Sequence, residues 1–484
     1  MKQTISMQTR NRWKRALAFS ALCAATVAAS PAQTFTVLKF FDGTNGSLPF
    51  GSLVEGVDAN LYGTTYEGGA DGLGTVFKFT LRGGIDPLYS FCVSTGCPDG
   101  NGPMAGLLLG LSDDFYGVTE TGGMNNNGAL FQISPEGTLS TLYSFCALAN
   151  CADGGTPVGG LIESPTDLKF YGTTSEYGAN GAGGTIFQFT YYDGPLVTLH
   201  SFCADPGCTD GGYPRGGLVQ GTDGNFYGTT GGLGANQPGT VFRITSGGVF
   251  TTLYTFCSIK NCADGAAPYA GLIQGSDGNF YGTTAWGGTS SQCSGGCGTV
   301  FKITPQGKLT TLHSFAYTDG EQPQAGLVQA TDGNYYGTTR IGGANNLGTI
   351  FQIARGAFKS LKSLSASDGA SPCSALTQAT DGNLYGTTTG GQVDNGSVYR
   401  LSMGLAPFIK TSPVASPVAE YIDIVGNDLT GATSVTFNGT PSSFTIFATT
   451  HILALVPAGA TTGPVEVTTP SGTLSSYFNF QVLP

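Results

Sequence analysis

His200 and His313 are the side chains of this sequence best suited to proton transfer, because imidazole alone titrates near neutral pH without perturbation. Both occupy one repeat position, whose other occupants are Lys39, Tyr89, Tyr143, Tyr254 and Lys362. A position that accepts Tyr, His and Lys in turn reads most simply as a half-exposed strand site for an amphipathic side chain. A general acid or base is the competing reading. The third histidine, His451, lies in a strand-like stretch with nothing chemical beside it. No Gly-x-Ser-x-Gly, His-Glu-x-x-His or phosphate loop occurs, and a carboxylate pair cannot be picked out without distances. The sequence assigns no catalytic residue.

Cysteines offer a second chemistry. Ten of the 12 fall into close pairs: Cys92/Cys97, Cys146/Cys151, Cys203/Cys208, Cys257/Cys262 and Cys293/Cys297. A zinc site needs converging ligands, and no pair has a histidine beside it, so local disulfides of an exported chain are expected. Cys23 falls in a leader and Cys373 is left as a free thiol. Carboxylates offer a third. Asp42, Asp99, Asp153, Asp210, Asp264, Asp319 and Asp368 each precede Gly at one repeat position. Seven such Asp related by rotation would ring one face and hold a cation such as calcium. An Asx-turn into the next unit is the plainer account, and no cofactor is otherwise evident.

The elements that position these residues come from one repeat. Tyr-Gly-Thr-Thr or a near variant recurs seven times, at Tyr62, Tyr116, Tyr171, Tyr227, Tyr281, Tyr336 and Tyr385. Each is followed by a Gly-rich turn and a second signature such as Gly74-Thr-Val-Phe77 or Gly239-Thr-Val-Phe242. Six units add a third run, as in Leu142-Tyr-Ser-Phe145, and each opens with an apolar run such as Gly217-Leu-Val-Gln220. Asp-Gly-Asn turns at 223, 277, 332 and 381 precede Tyr-Gly and supply the positive φ of tight hairpins. Four short β-rich runs per unit of about 55 residues are the size of a propeller blade. The seventh unit lacks its fourth run, and that run stands at the other end as Thr34-Phe-Thr-Val-Leu-Lys-Phe40. A borrowed strand is what ring closure needs, since it leaves no open edge. The reading is an all-β, seven-bladed β-propeller closed by the N-terminal strand, over residues 33–402.

These motifs in this order resemble the GloVer tandem repeats of exported bacterial choice-of-anchor proteins, over about residues 34 to 402. The resemblance implies export and leaves biochemical activity open. Residues 403–484 read as a linker marked by Pro407, Pro413 and Pro417, then a small β-sandwich. Its motifs, Gly431-Ala-Thr-Ser-Val-Thr-Phe-Asn-Gly439 among them, resemble an IPT/TIG immunoglobulin-like domain, which implies a spacer or contact module.

Residues 1–32 read as a signal peptide: a basic start through Lys2, Arg10, Arg12, Lys14 and Arg15, an apolar run from Ala16 to Ala29, and Ser30-Pro31-Ala32 before the cleavage point. That run is too short to span a membrane. Its removal takes five positive charges, leaving 15 against 31 and a net −16. So acidic a chain excludes nucleic acid as a partner. With 77 Gly and 11% charged residues, a helical protein is excluded too. The expectation is a secreted or cell-surface monomer without a transmembrane segment, a non-enzymatic binding or scaffold protein for an extracellular glycan or protein partner. The alternative is a polysaccharide-acting hydrolase or lyase with its site at the central opening. Unlike, non-repeating carboxylates or His at one mouth would favour the enzyme.

Overall fold

The computed structural model describes residues 33–483, except 111–112, 192–194, 206, 233–237 and 392–394. The signal peptide read over 1–32 lies outside the described residues. Strands dominate what is described, and no α-helix occurs there; two short 3-10 turns, Ala149–Cys151 and Lys260–Cys262, interrupt the loops.

Residues 34–402 form seven four-stranded antiparallel sheets, each built from one repeat. The first joins Val54–Glu55, Leu61–Thr65, Thr75–Thr80 and Gly84–Ser90 in chain order. Five more follow over 108–144, 162–201, 219–255, 273–314 and 328–363. The seventh consists of Thr377–Gln378, Leu384–Thr388 and Ser397–Ser402, with Thr34–Phe40 as its outer strand. That strand pairs antiparallel from Thr34↔Ser402 to Phe40↔Ser397.

Every letter of Tyr-Gly-Thr-Thr has a physical task. The Tyr hydroxyl donates to the Asp of the preceding turn, as Tyr227 does to Asp223 at 2.7 Å, which locks the hairpin to its strand. The Gly receives the Phe ring of the next strand: a Cβ on Gly228 would stand 2.5 Å from Phe242 Cζ. The first Thr donates to the opening run of the following sheet, as Thr229 does to Ala270 O at 2.8 Å. In the last repeat Thr387 donates back to Pro49 O, at 2.9 Å. The second Thr pairs across the sheet, Thr230 with Thr240 at 3.0 Å. Buried hydroxyls are thereby satisfied within a chain that has few charges to offer.

Apolar cores lie between sheets rather than within them. Tyr62, Val76 and Phe91 of the first sheet pack with Leu107, Phe115 and Phe131 of the second. The series ends where it began, since Tyr385, Val398 and Ala379 of the seventh pack with Phe41, Leu53 and Phe77. Tyr171 stacks on Phe226 of the next sheet, and Tyr227 on Phe280, both with centroids 4.0 Å apart. Truncating one such ring, Phe226→Ala for instance, costs on the order of 3–5 kcal/mol.

Residues 408–483 add two further four-stranded sheets and a two-stranded one. Ile422, Ile424, Val435, Phe437, Ile452 and Val467 form their shared core. Pro413 and Pro417, read as linker marks, stand between and within strands: Lys410–Ser412 and Ala415–Pro417 flank and include them.

Candidate functional site

His200, His313 and the seven Asp-Gly carboxylates lie on the outer strands and their loops. Each of the seven Asp-Gly carboxylates accepts from local donors. Asp153 takes the Tyr143 hydroxyl at 2.7 Å and the Ala147 N–H at 2.8 Å. Asp210 takes His200 Nε2 at 3.0 Å and the Cys203 N–H at 3.1 Å. Asp319 takes His313 Nε2 at 3.1 Å, and Asp368 takes Lys362 Nζ at 2.8 Å. Asp99 and Asp264 take Tyr89 and Tyr254 in the same way, while Asp42 caps Thr44 and Asn45. Among the described residues, no three His, Cys, Asp or Glu side chains gather as a metal site. The Tyr/His/Lys position is therefore more than a half-exposed strand site. In six of the seven repeats it supplies a hydrogen-bond donor to the Asp of its own loop, Lys39 being the exception, and all three residue types can donate. Burial holds the His200 imidazole below its ordinary pKa, favouring the neutral ring that stacks on Phe250 at 4.0 Å. His451 pairs with Asp423 at 2.6 Å, far along the chain from the other two.

Five cysteine pairs stand at disulfide distance: Cys92 with Cys97, Cys146 with Cys151, Cys203 with Cys208, Cys257 with Cys262, and Cys293 with Cys297. The first four close the loop that carries the Asp carboxylate. Cys373 is a free thiol whose pKa burial raises, against a lowering contribution from Arg340 beside it.

The seven opening runs surround a channel, and its two ends differ. At one end Gln274, Gln329 and Gln378 each reach back to the preceding sheet. Gln274 accepts from the Thr222 N–H at 2.9 Å, Gln329 from Ser276 at 3.0 Å and Gln378 from Thr331 at 2.9 Å. In the first sheet Glu55 takes this place and accepts from the Thr380 N–H at 3.0 Å and its hydroxyl at 2.7 Å. Glu55 is 1% exposed at its side chain, and Lys410 of the C-terminal segment neutralises it at 2.7 Å. Lys410 also donates to Gln378 O, Asn427 to the Thr380 hydroxyl, and Thr450 to Val57 O, so residues 408–483 cover this end.

The other end is open. It leads into a cavity of about 570 Å³ lined from all seven repeats. Its walls are glycines that bring inner strands into backbone contact: a Cβ on Gly216 would lie 2.2 Å from Gly271 N. Its rim is built from the residue after each repeat's Pro, which is Phe50, Met104, Val158, Arg215, Tyr269, Gln324 or Cys373. Residues just after Tyr-Gly-Thr-Thr join them, Glu120, Ser175 and Glu176 among those lining the cavity. The Glu120 carboxylate near the Tyr66 hydroxyl pushes the Tyr66 pKa up to about 12, and the Tyr66 ring meets Phe50 edge-on at 5.8 Å. The Arg215 guanidinium lies over the Tyr269 ring, 5.1 Å from its centroid. Apart from Cys373, the expected free thiol, none of these residues stands out in the sequence reading. Their signal was there: two positions per repeat change in every unit while their neighbours stay the same.

A model of the Gloeobacter/Verrucomicrobia repeat matches residues 25–152, 89–262 and 258–447. The chain belongs to the Gloeobacter/Verrucomicrobia repeat family. No curated protein matches it. Solved structures similar to this repeat protein include a fungal alcohol oxidase of the AA5 family in complex with copper, 12% identical over 93% of this chain and 99% of that one, TM-score 0.49. A luciferin-regenerating enzyme is 12% identical over 61% of this chain and 89% of that one, TM-score 0.38. A structural-genomics protein of unknown function from Bacteroides thetaiotaomicron is 13% identical over 77% and 76%, TM-score 0.38. At these scores none of them transfers a chemistry to the repeat protein.

Proposed function

We propose that this chain is an exported binding protein: a closed seven-bladed propeller over residues 33–402, with an IPT/TIG-like sandwich seated on one end and a ligand site at the other. One observation carries the reading. The open rim is the place where a strict repeat stops repeating, and side chains freed from a common structural task are free to recognise something. The five short-range disulfides fit an extracellular setting. Aromatic rings beside carboxylates and guanidiniums suit a glycan or a protein partner on a cell surface.

The enzyme reading keeps one specific support: Glu120 and Glu176 are unlike, non-repeating carboxylates at one mouth. Against it, all three histidines are paired with Asp away from the rim. Screening the mature chain on glycan and peptide arrays, with reducing-end assays on glycan hits, separates the two. Binding that Tyr269→Ala abolishes, without product, is the expected result. Release of reducing ends that Glu120→Gln abolishes would replace the binding protein with a glycosidase.

A further inference from the structure

The open rim holds its opposite charges apart. Glu120 and Glu176 line it from the second and third sheets, with Glu67 near Tyr66 beside them. Arg215 lines it from the fourth sheet, and Arg340 of the sixth lies against Cys373 in the wall. Beyond residue 32 the sequence has six arginines and a net charge of −16, so two of the six at this rim is a concentration. Among the described residues neither guanidinium forms an ion pair. The Tyr269 face holds Arg215 in place without using its N–H donors. Glu176 receives only a 3.4 Å contact from the Thr156 hydroxyl. Charges of both signs, not paired with one another, around one cavity with Phe50 and Tyr269 at its rim match a ligand that carries both signs.

Taking the rim as the binding site, as proposed above, we infer that its ligand is a small zwitterion, a short peptide with free ends. Its ammonium group faces Glu120 and Glu176, its carboxylate faces Arg215 and Arg340, and an apolar side chain rests on Phe50 or Tyr269. A polyanionic glycan would meet the carboxylate arc in an already acidic protein. A neutral glycan would desolvate two guanidiniums without giving them a partner. A zwitterion satisfies both arcs, and the 570 Å³ cavity lies in the range of small-molecule sites.

The test is calorimetric titration of the mature chain with Ala-Leu-Ala, Ala-Phe-Ala and Ala-Lys-Ala, each free, N-acetylated and C-amidated. Free peptides should bind, and blocking either end should weaken binding at least ~10-fold, the loss of one charge-assisted contact. Arg215→Gln should erase the discrimination against amides, and Glu120→Gln that against acetylated peptides. Both changes lie at the rim, and unchanged thermal melts check that the fold survives them. Blocked and free peptides binding alike, or no peptide binding, overturns the zwitterion. If a neutral oligosaccharide then binds and Tyr269→Ala abolishes it, the rim stands and only the ligand class falls. Binding of any ligand that ignores Tyr269→Ala removes the rim itself.

Discussion

The two ends of the channel are made by the same strands, yet they obey different rules. At the covered end, one position per repeat carries Gln220, Gln274, Gln329 and Gln378, and the last three make the same backward hydrogen bonds to the preceding sheet. Gln220 shows what the rule requires. Pro165 stands where the others find an N–H, and Gln220 Oε1 is buried without a partner among the described residues. At the open end the equivalent positions share only their backbone geometry. Regularity at one end is structural, and its loss at the other is what the proposed binding role rests on.

The largest test of the covered, closed side is removal of residues 33–41. That deletes the outer strand of the seventh sheet together with Phe41, which is 1% exposed in the core shared with the first sheet. The exposed edge would template pairing with other chains. Loss of a cooperative unfolding transition, or aggregation, is expected; a deletion variant with the parent's melting curve rules out closure by this strand.

Next in size is the ion pair that holds the cover. Lys410→Ala leaves Glu55 buried with only its Thr380 donors, and about 2 kcal/mol of stability should be lost in urea unfolding, less than for a fully orphaned charge. Glu55→Gln restores the side chain that four other repeats use and should cost under ~1 kcal/mol. At the open end the pattern inverts. Tyr269→Ala should change stability by no more than about 1 kcal/mol while weakening ligand binding at least ~10-fold. Equal effects of the two kinds of substitution on stability and binding would dissolve the contrast between the ends.

The covered end should also respond to pH. Glu163 occupies the repeat position of Glu55 and faces an apolar cavity beneath the cover, where burial pushes its pKa up to about 7. A carboxyl raised in this way is held more tightly as the acid in the folded chain. The folded state therefore loses stability as pH rises from about 4.5 through 7. His451 acts in the same direction: its raised pKa, caused first by the hydrogen bond to Asp423, stabilises the fold below about pH 6.5 and fades as pH climbs past the native value. His200, whose pKa burial lowers, acts the other way only up to about pH 6.5, so thermal stability should fall between pH 6.5 and 8.5. Glu163→Gln should flatten the profile by about 1 kcal/mol once solvent screening is allowed for. A profile that rises across this range contradicts both assignments.

Much of the architecture could be read from the chain because each repeat letter has one local task. Asp-Gly-Asn and Tyr-Gly announce themselves together since the Tyr hydroxyl binds the turn's Asp, and Thr34–Phe40 was recognisable as the missing strand of the last repeat. The cover was not legible. Lys410 and Glu55 are 355 residues apart, and only the docked C-terminal segment brings them together. The rim escaped for the opposite reason: motif reading rewards what recurs, and Arg215, Tyr269 and Glu120 are informative because they do not recur. His200 and His313 drew attention by residue type alone, though their geometry is that of loop clamps.

The smallest expected effect concerns those two histidines. Each donates to the Asp of its own loop, the task that Tyr89, Tyr143 and Tyr254 perform for Asp99, Asp153 and Asp264 at 2.7–2.9 Å. Each also stacks on a Phe of the next sheet, His200 on Phe250 and His313 on Phe358, and a Tyr ring offers the same flat face. The double variant His200→Tyr/His313→Tyr should therefore shift stability by no more than ~0.5 kcal/mol and leave rim binding unchanged. His200→Phe keeps the ring but removes the donor, leaving an oxygen of buried Asp210 without its partner, at a cost of about 1–2 kcal/mol. That difference between Tyr and Phe at one position isolates the hydrogen bond from the stacking. A double Tyr variant that lost binding or activity ~100-fold or more, the scale of a removed general acid or base, would move the functional site from the open rim to the outer strands.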